Sequence, residues 1–342
     1  MKKGYRNIVL LIIISFAIVA WSFYRTFWFP NTKQAEVPSV LVIPEGASFE
    51  QVCDSLEAAS VVINMKSFRL AAKARKYTDN VKPGRYLIEG ELSNFELVTM
   101  LRAGLQTPVM VTFNNIRTIY ELAGRIGSQI EADSAEIVAF LENEENYVDD
   151  GFTRETVISV FIPDTYEVYW NMSAEGFYGR MLREHKRFWN DERLSKAAEK
   201  NLSPVEVSIV ASIVDDEVAR ADEKPRIAGV YLNRLRIGMA LQACPTIKFA
   251  LNDFTITRVL YEHMQVESPY NTYKYRGLPP GPVRCPTISG IDAVLKAEKH
   301  DYLFFAAKAD FSGYHNFSRT LAEHNRYANE YQRELDRRRI YR

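Results

Sequence analysis

The chain reads as an α+β protein with a single N-terminal transmembrane helix, a small α+β region after it, and a mostly helical remainder. Three observations predict this. An uncharged apolar run opens the sequence, three short strand-turn-helix patterns follow, and from about Phe161 long helical stretches take over. With 342 residues, 47% of them hydrophobic and 25% charged, the chain can bury a core. At roughly 150 residues per domain, the length fits two. Lys plus Arg and Asp plus Glu both total 43, so the net charge is zero and no global field would attract nucleic acid.

Residues Ile8 to Tyr24 read IVLLIIISFAIVAWSFY with no charge, and the run continued to Phe29 is long enough to cross a bilayer. Lys2, Lys3 and Arg6 precede it, which places the N-terminus in the cytoplasm and the bulk of the chain outside. A cleaved signal peptide is the competing reading. Trp21, Phe23, Tyr24, Phe27, Trp28 and Phe29 oppose it, because they form an aromatic belt where a cleavage site needs small residues. Residues 1–7 are therefore read as a cytoplasmic tail, 8–29 as the transmembrane helix, and 30–38, from Pro30 to Pro38, as a polar spacer.

The strand-turn-helix patterns follow. Val40 to Ile43, a Pro44-Glu45-Gly46 turn and a helix from Ser48 form the first. Tyr86 to Ile88 with a helix from Ser93 to Gly104 forms the second, and Val109 to Phe113 with a helix from Thr118 the third. Their similar order resembles the LysM-type folds that bind N-acetylglucosamine polymers, which gives residues 39–105 as a LysM-like subdomain. Between Leu241 and Pro286 the sequence is rich in Pro, Gly and Tyr and has little period, the mark of a functional loop region.

Several chemistries are excluded. The histidines include no HExxH pair, and Cys53, Cys244 and Cys285 are too few for a zinc ribbon or a disulfide scaffold, so no metal or cofactor is expected. A disulfide between Cys244 and Cys285 is left open, since an extracytoplasmic compartment permits one. There is no GxSxG elbow and no GxxxxGK[ST] loop. Carboxylate chemistry remains.

Ser203-Pro204-Val205-Glu206 is a capping box with proline at the first helical position, followed by VSIVASIVDDEVAR. At 100° per residue, Glu217 shares the stripe of Val210, Ile213 and Val214, whereas Asp215 and Asp216 turn away from it. Glu217 is thus the one acid expected to look inward, with its pKa raised as a general acid requires. A solvated helix end carrying three acids is the plain alternative. Downstream lie Gln242, Thr246 and the run from Ser268 to Tyr273, which includes Asn271, together with GLPPGP from Gly277. Tyrosine faces and amide groups in a fixed loop suit sugars.

These residues resemble a known family, the YceG-like (MltG) endolytic murein transglycosylases. The resemblance rests on FIPDTY from Phe161, ASIVDDE ending at Glu217, YLNRLRIGMALQ from Tyr231, Pro245-Thr246, SPYNTY, GLPPGP, His315, and Glu323-His324-Asn325. It implies a catalytic region over 106–342 that cuts the MurNAc-GlcNAc bond of nascent peptidoglycan strands, leaves 1,6-anhydro ends and terminates elongation beside peptidoglycan synthases at the cytoplasmic (inner) membrane. It implies Glu217 as the catalytic acid; Gln242, Thr246, Asn271 and Tyr273 are expected, from the residues of the loop region itself, to hold sugars. The chain departs from the family at Asp215, where Glu is frequent, and at Cys244, where Asp commonly precedes Pro-Thr. Two alternatives stand beside this reading: a two-carboxylate hydrolase using Asp215 with Glu217, and a non-catalytic wall-binding anchor.

Overall fold

The computed structural model describes residues 2–34, 37–218 and 220–339. Helix α1, Lys2–Phe27, contains the apolar span, and Tyr5–Phe27 has mean hydropathy 2.2 with none of its most apolar stretch covered by protein. The positions of Lys2 and Lys3 side chains, invoked for topology, lie outside the described side chains. Strand β1 (Ser39–Ile43), helices α2 (Phe49–Ala58) and α3 (Met65–Ala74), strand β2 (Gly84–Ile88) and helix α4 (Asn94–Ala103) follow. Then come β3 (Val109–Phe113), α5 (Ile119–Gly127), α6 (Ser134–Glu142), β4 (Asp164–Val168), α7 (Ala174–Phe188), α8 (Asp191–Ala198) and α9 (Pro204–Glu217). The chain ends with α10 (Lys224–Arg236), α11 (Cys244–Ala250), α12 (Ile288–Leu295), strands β5 (Phe304–Ala307) and β6 (His315–Ser318), and α13 (Leu321–Arg337).

Two compact units divide the chain. Unit 1 holds residues 1–111 with 129–132 and 166–173, and unit 2 holds the rest.

In unit 1, β1 and β2 pair antiparallel, Ser39 opposite Ile88 and Ile43 opposite Gly84, with α2 and α3 on the connection between them. Alternating inward residues Leu41, Ile43, Tyr86 and Ile88 meet Val52, Leu56, Phe68, Leu97 and Leu101 from the helices in one core. Reciprocal capping boxes start α2 at Ser48 with Gln51 and α4 at Ser93 with Glu96. Three repeats are therefore not what forms. α3 is an additional helix, capped by Asn64 and burying Phe68, Ala71 and Ala72, and β3 pairs with β4 instead of joining the β1–β2 sheet.

The expected spacer is also partly folded. Phe27 lies in the unit 1 core, and Asn31 and Thr32 are buried. Asn31 accepts the Asn64 amide and donates to Asn94 Oδ1 at 2.6 Å, while Asn94 donates to the Thr26 carbonyl at 2.8 Å. Residues 35 and 36 of that segment, and 340–342 of the expected catalytic region, lie outside the described residues.

In unit 2, α9 is the central element. Every residue from Val207 to Val214 is buried, so the helix is covered on all sides by α8, α10, α11 and α12. Its two serines are satisfied inside the core: Ser208 donates to Pro204 O, and Ser212 donates to Ile209 O and accepts the Val283 amide. Antiparallel β5 and β6 pack through Phe305 and Phe317 against the same core.

Candidate active site

The site is built where α9 ends. Glu217 is the last residue of the helix, Val218 caps it in extended conformation, and the last carbonyls add partial negative charge there. The residue as a whole is half-buried, and among the described residues no hydrogen bond or ion pair engages its carboxyl. Desolvation raises its pKa to about 7, the adjacent Asp216 charge adds to the rise, and Lys248 and Arg234 oppose it.

The neighbouring acids are spent. Asp215 accepts from Lys224 Nζ at 2.6 Å, from the Thr287 amide at 2.7 Å and from Thr287 Oγ1 at 2.9 Å. Asp216 takes a two-pronged bond from Arg117, at 2.8 and 2.9 Å, and a third from Arg284 at 3.1 Å. The three acids meet different partners, but the expectation that only Glu217 looks inward needs correction. Because α9 is enclosed, all three acids meet protein, and the side chains of Asp215 and Asp216 are only 1% and 9% exposed. What distinguishes Glu217 is the lack of a partner.

Tyr231, Arg234, Cys244, Lys248 and Tyr273 are within electrostatic reach of Glu217. Burial raises the phenol pKa values of Tyr231 and Tyr273 and the thiol pKa of Cys244, so all three are uncharged near neutral pH. Tyr273 Oη and Cys244 Sγ lie 3.4 Å apart. Arg234, which the sequence reading passes over, is buried. Its Nε donates to Leu303 O at 2.6 Å and its Nη1 to Leu241 O at 2.5 Å, which ties β5 to the loop that delivers Gln242. The signal was an arginine one turn after the inward Tyr231, unremarkable on a helix with four basic residues.

The four expected sugar-holding residues separate into two pairs. Gln242 is exposed with φ +50°, and Tyr273 is half-buried beside Glu217, so both can meet a ligand. Thr246 and Asn271 are fully buried and serve the loop. Thr246 Oγ1 donates to Ala243 O and meets Thr272 Oγ1 at 2.8 Å. Asn271 uses its whole amide, donating to Met264 O and Val266 O and accepting from the Tyr273 and Lys274 amides. Neither presents a free polar group, because an aperiodic loop needs internal partners for its backbone. Cys244 and Cys285 are likewise unbonded to each other: Cys285 is buried and donates to Phe161 O at 2.6 Å. Among the described residues no cluster of three or more His, Cys, Asp or Glu could hold a metal ion.

Of the motif residues near the C-terminus, His315 is held by Glu223, whose two carboxylate oxygens take its backbone amide at 3.0 Å and meet Nδ1 at 2.8 Å. His324 stacks on Phe304, and the Arg234 guanidinium lies 5.2 Å from the same ring.

The sequence pattern of the YceG-like family matches residues 41–330. The chain belongs to the YceG-like family. Among relatives of this YceG-like chain is a Bacillus subtilis protein named endolytic murein transglycosylase, 26% identical over 318 residues that cover 88% of this chain and 87% of that protein. A Streptococcus pneumoniae protein of the same name is 29% identical over 296 residues, or 78% of this chain, which spans about half (53%) of the streptococcal length. A crystal structure of a yceG-like protein from Listeria monocytogenes superposes with TM-score 0.57 at 27% identity, covering 85% of this chain and 99% of that one.

Proposed function

We propose that this YceG-like chain is an endolytic murein transglycosylase, a lyase that cuts peptidoglycan strands, with Glu217 as its acid and base. One observation carries the reading: of three consecutive acids, two are neutralised by fixed partners and the third stands unpaired with a pKa near 7. The names of the relatives agree with it.

Protonated Glu217 donates to the glycosidic oxygen as the bond from muramoyl C1 breaks, and the leaving sugar departs with that proton. The resulting carboxylate then takes the proton of the muramoyl 6-hydroxyl while O6 bonds to C1, which closes the 1,6-anhydro ring and returns Glu217 to its acid form. No water is consumed. A single carboxyl suffices where hydrolases place two at defined separations. Lys248 and Arg234 favour the carboxylate half of the cycle, and Asp216 the acid half. Gln242 and Tyr273 position the sugars, with Thr246 and Asn271 holding the loop that presents Tyr273.

Residues 39–105 act as a LysM-like glycan-binding part, a reading supported by the order β1-α2-α3-β2 with its strands antiparallel. α1 is a single-pass anchor with the N-terminus in the cytoplasm, supported by its length and hydropathy. Elongating synthases are the partners, and residues 106–342 the catalytic part.

The test is a digest of purified glycan strands in ¹⁸O-labelled water. Expected are 1,6-anhydromuramoyl ends without the label. Labelled reducing ends would replace the lyase by a hydrolase, and uncut strands would leave a wall-binding anchor.

A further inference from the structure

Beside the end of α9 lies a cavity of about 690 Å³ that the chemistry above does not use. Its floor is aromatic: Phe249, Phe254 and Tyr270, with Phe249 and Tyr270 rings 4.6 Å apart. Its charged groups include Arg117, Arg154 and Glu155. The cavity adjoins the site by two routes. Arg117, in its wall, lies 4.6 Å from the Phe254 ring and bonds Asp216, the residue before Glu217. Tyr270 begins the four residues that end at Tyr273, and Phe249 sits on the same short helix as Cys244 and Lys248.

The Arg117 guanidinium of this wall shares its partner. Asp216 is a single carboxylate shared by two guanidinium groups, Arg117 and Arg284, and Arg284 Nε is buried without a hydrogen-bond partner. The lining as a whole is mixed, since Glu121 accepts the Arg117 backbone amide at 2.7 Å and Glu155 neighbours Arg154 in sequence, but the Arg117 guanidinium shares its one carboxylate with Arg284 and remains about a quarter exposed. A partly exposed guanidinium that shares its carboxylate has donors left for a ligand carboxylate. The aromatic floor takes small apolar groups, and Glu155, exposed at the rim, takes an ammonium group.

We infer that this cavity receives the peptide stem of the muramoyl residue being cut, with a stem carboxylate facing Arg117. The inference rests on the proposed glycan-cleaving function. Stem chemistry fits the cavity, since it alternates carboxylates with methyl side chains and carries an amino group on its diamino acid. Adjacency fits as well, since Arg117 bonds Asp216, the residue next to Glu217.

Two measurements on the detergent-solubilised full chain test it. The first compares kcat/KM for anhydro-end formation on stem-bearing strands and on the same strands stripped by an amidase. Wild type should favour stem-bearing strands by about tenfold, and Phe254→Ala and Arg154→Ala should each remove most of that preference while leaving stripped strands unchanged. Equal rates on both substrates, or a parallel loss on both in the variants, would overturn the proposal, the latter assigning the cavity to sugar. The second is calorimetric titration of Glu217→Gln with a muramoyl tetrapeptide, which reads binding without turnover. Saturable binding weakened by Arg117→Lys supports the stem site, and no binding overturns it. If the strands stay uncut while the tetrapeptide binds, the proposed lyase function fails and the stem site stands.

Discussion

Glu217 illustrates how a side chain can be costly to the fold and useful to chemistry. Between about pH 4.5 and 7 the folded protein keeps a proton that the unfolded chain has released, so stability falls as pH rises through that window. The difference from the ordinary value of 4.5, at about 1.4 kcal/mol per tenfold, amounts to at most about 3 kcal/mol above pH 7. Glu217→Gln should therefore stabilise the protein at pH 8 by up to that amount and have little effect at pH 4, while anhydro-end formation drops at least about 10²-fold. Thermal unfolding at the two pH values, beside product assays, checks both halves; equal stability changes at both pH values would contradict the desolvated carboxyl. Cys244→Asp should place a second negative charge against Glu217 and move the pH dependence of kcat/KM in the alkaline direction. Asp216→Asn acts differently, since it strips two guanidinium groups of their partner and should cost about 3–5 kcal/mol in a urea melt. Sequence alone could single out Glu217 by its azimuth. It could not show that the other two acids are paired, because Arg117, Arg284 and Lys224 come from distant segments.

At the level of elements, what was legible followed from local rules. The Ser203 box, Pro204 and the apolar run give α9 its start and direction, and the boxes at Ser48 and Ser93 do the same for α2 and α4. α3 escaped because its apolar residues Phe68, Ala71 and Ala72 are small or isolated among Lys and Arg. Strand pairing was illegible for another reason: β1 joins β2 across two helices, a long-range choice that short strands do not encode. The Ser268–Tyr273 loop was recognised as fixed, yet which of its residues face outward depends on internal hydrogen bonds, as Asn271 demonstrates. Packing between elements is tight where α12 meets α9: a Cβ on Gly290 would run into the Asp215 carboxylate. Gly290→Ala should thus destabilise by about 1–3 kcal/mol in chemical denaturation and lower activity through α9, whereas the same change at the open Gly124 of α5 should not destabilise.

For the whole molecule, the proposed anchor would set the compartment. A C-terminal reporter that functions only outside the cytoplasm should be active on a membrane-bound, full-length chain, and a soluble form beginning after residue 20 would refute this. The way α1 ends has a mechanical meaning. Phe27 sits in the unit 1 core, Trp28 stacks on Phe95, and the Thr26-Asn94-Asn31 hydrogen bonds clamp the junction. Unit 1 is therefore mounted as on a bracket, not held on a leash. A helix seated in a bilayer spins and drifts sideways but keeps its depth, so with α1 as the proposed anchor unit 1 would patrol a thin layer parallel to the lipid surface at constant altitude. On that proposal its search for glycan would become two-dimensional, and wall material that had migrated out of that layer would pass beyond its grasp.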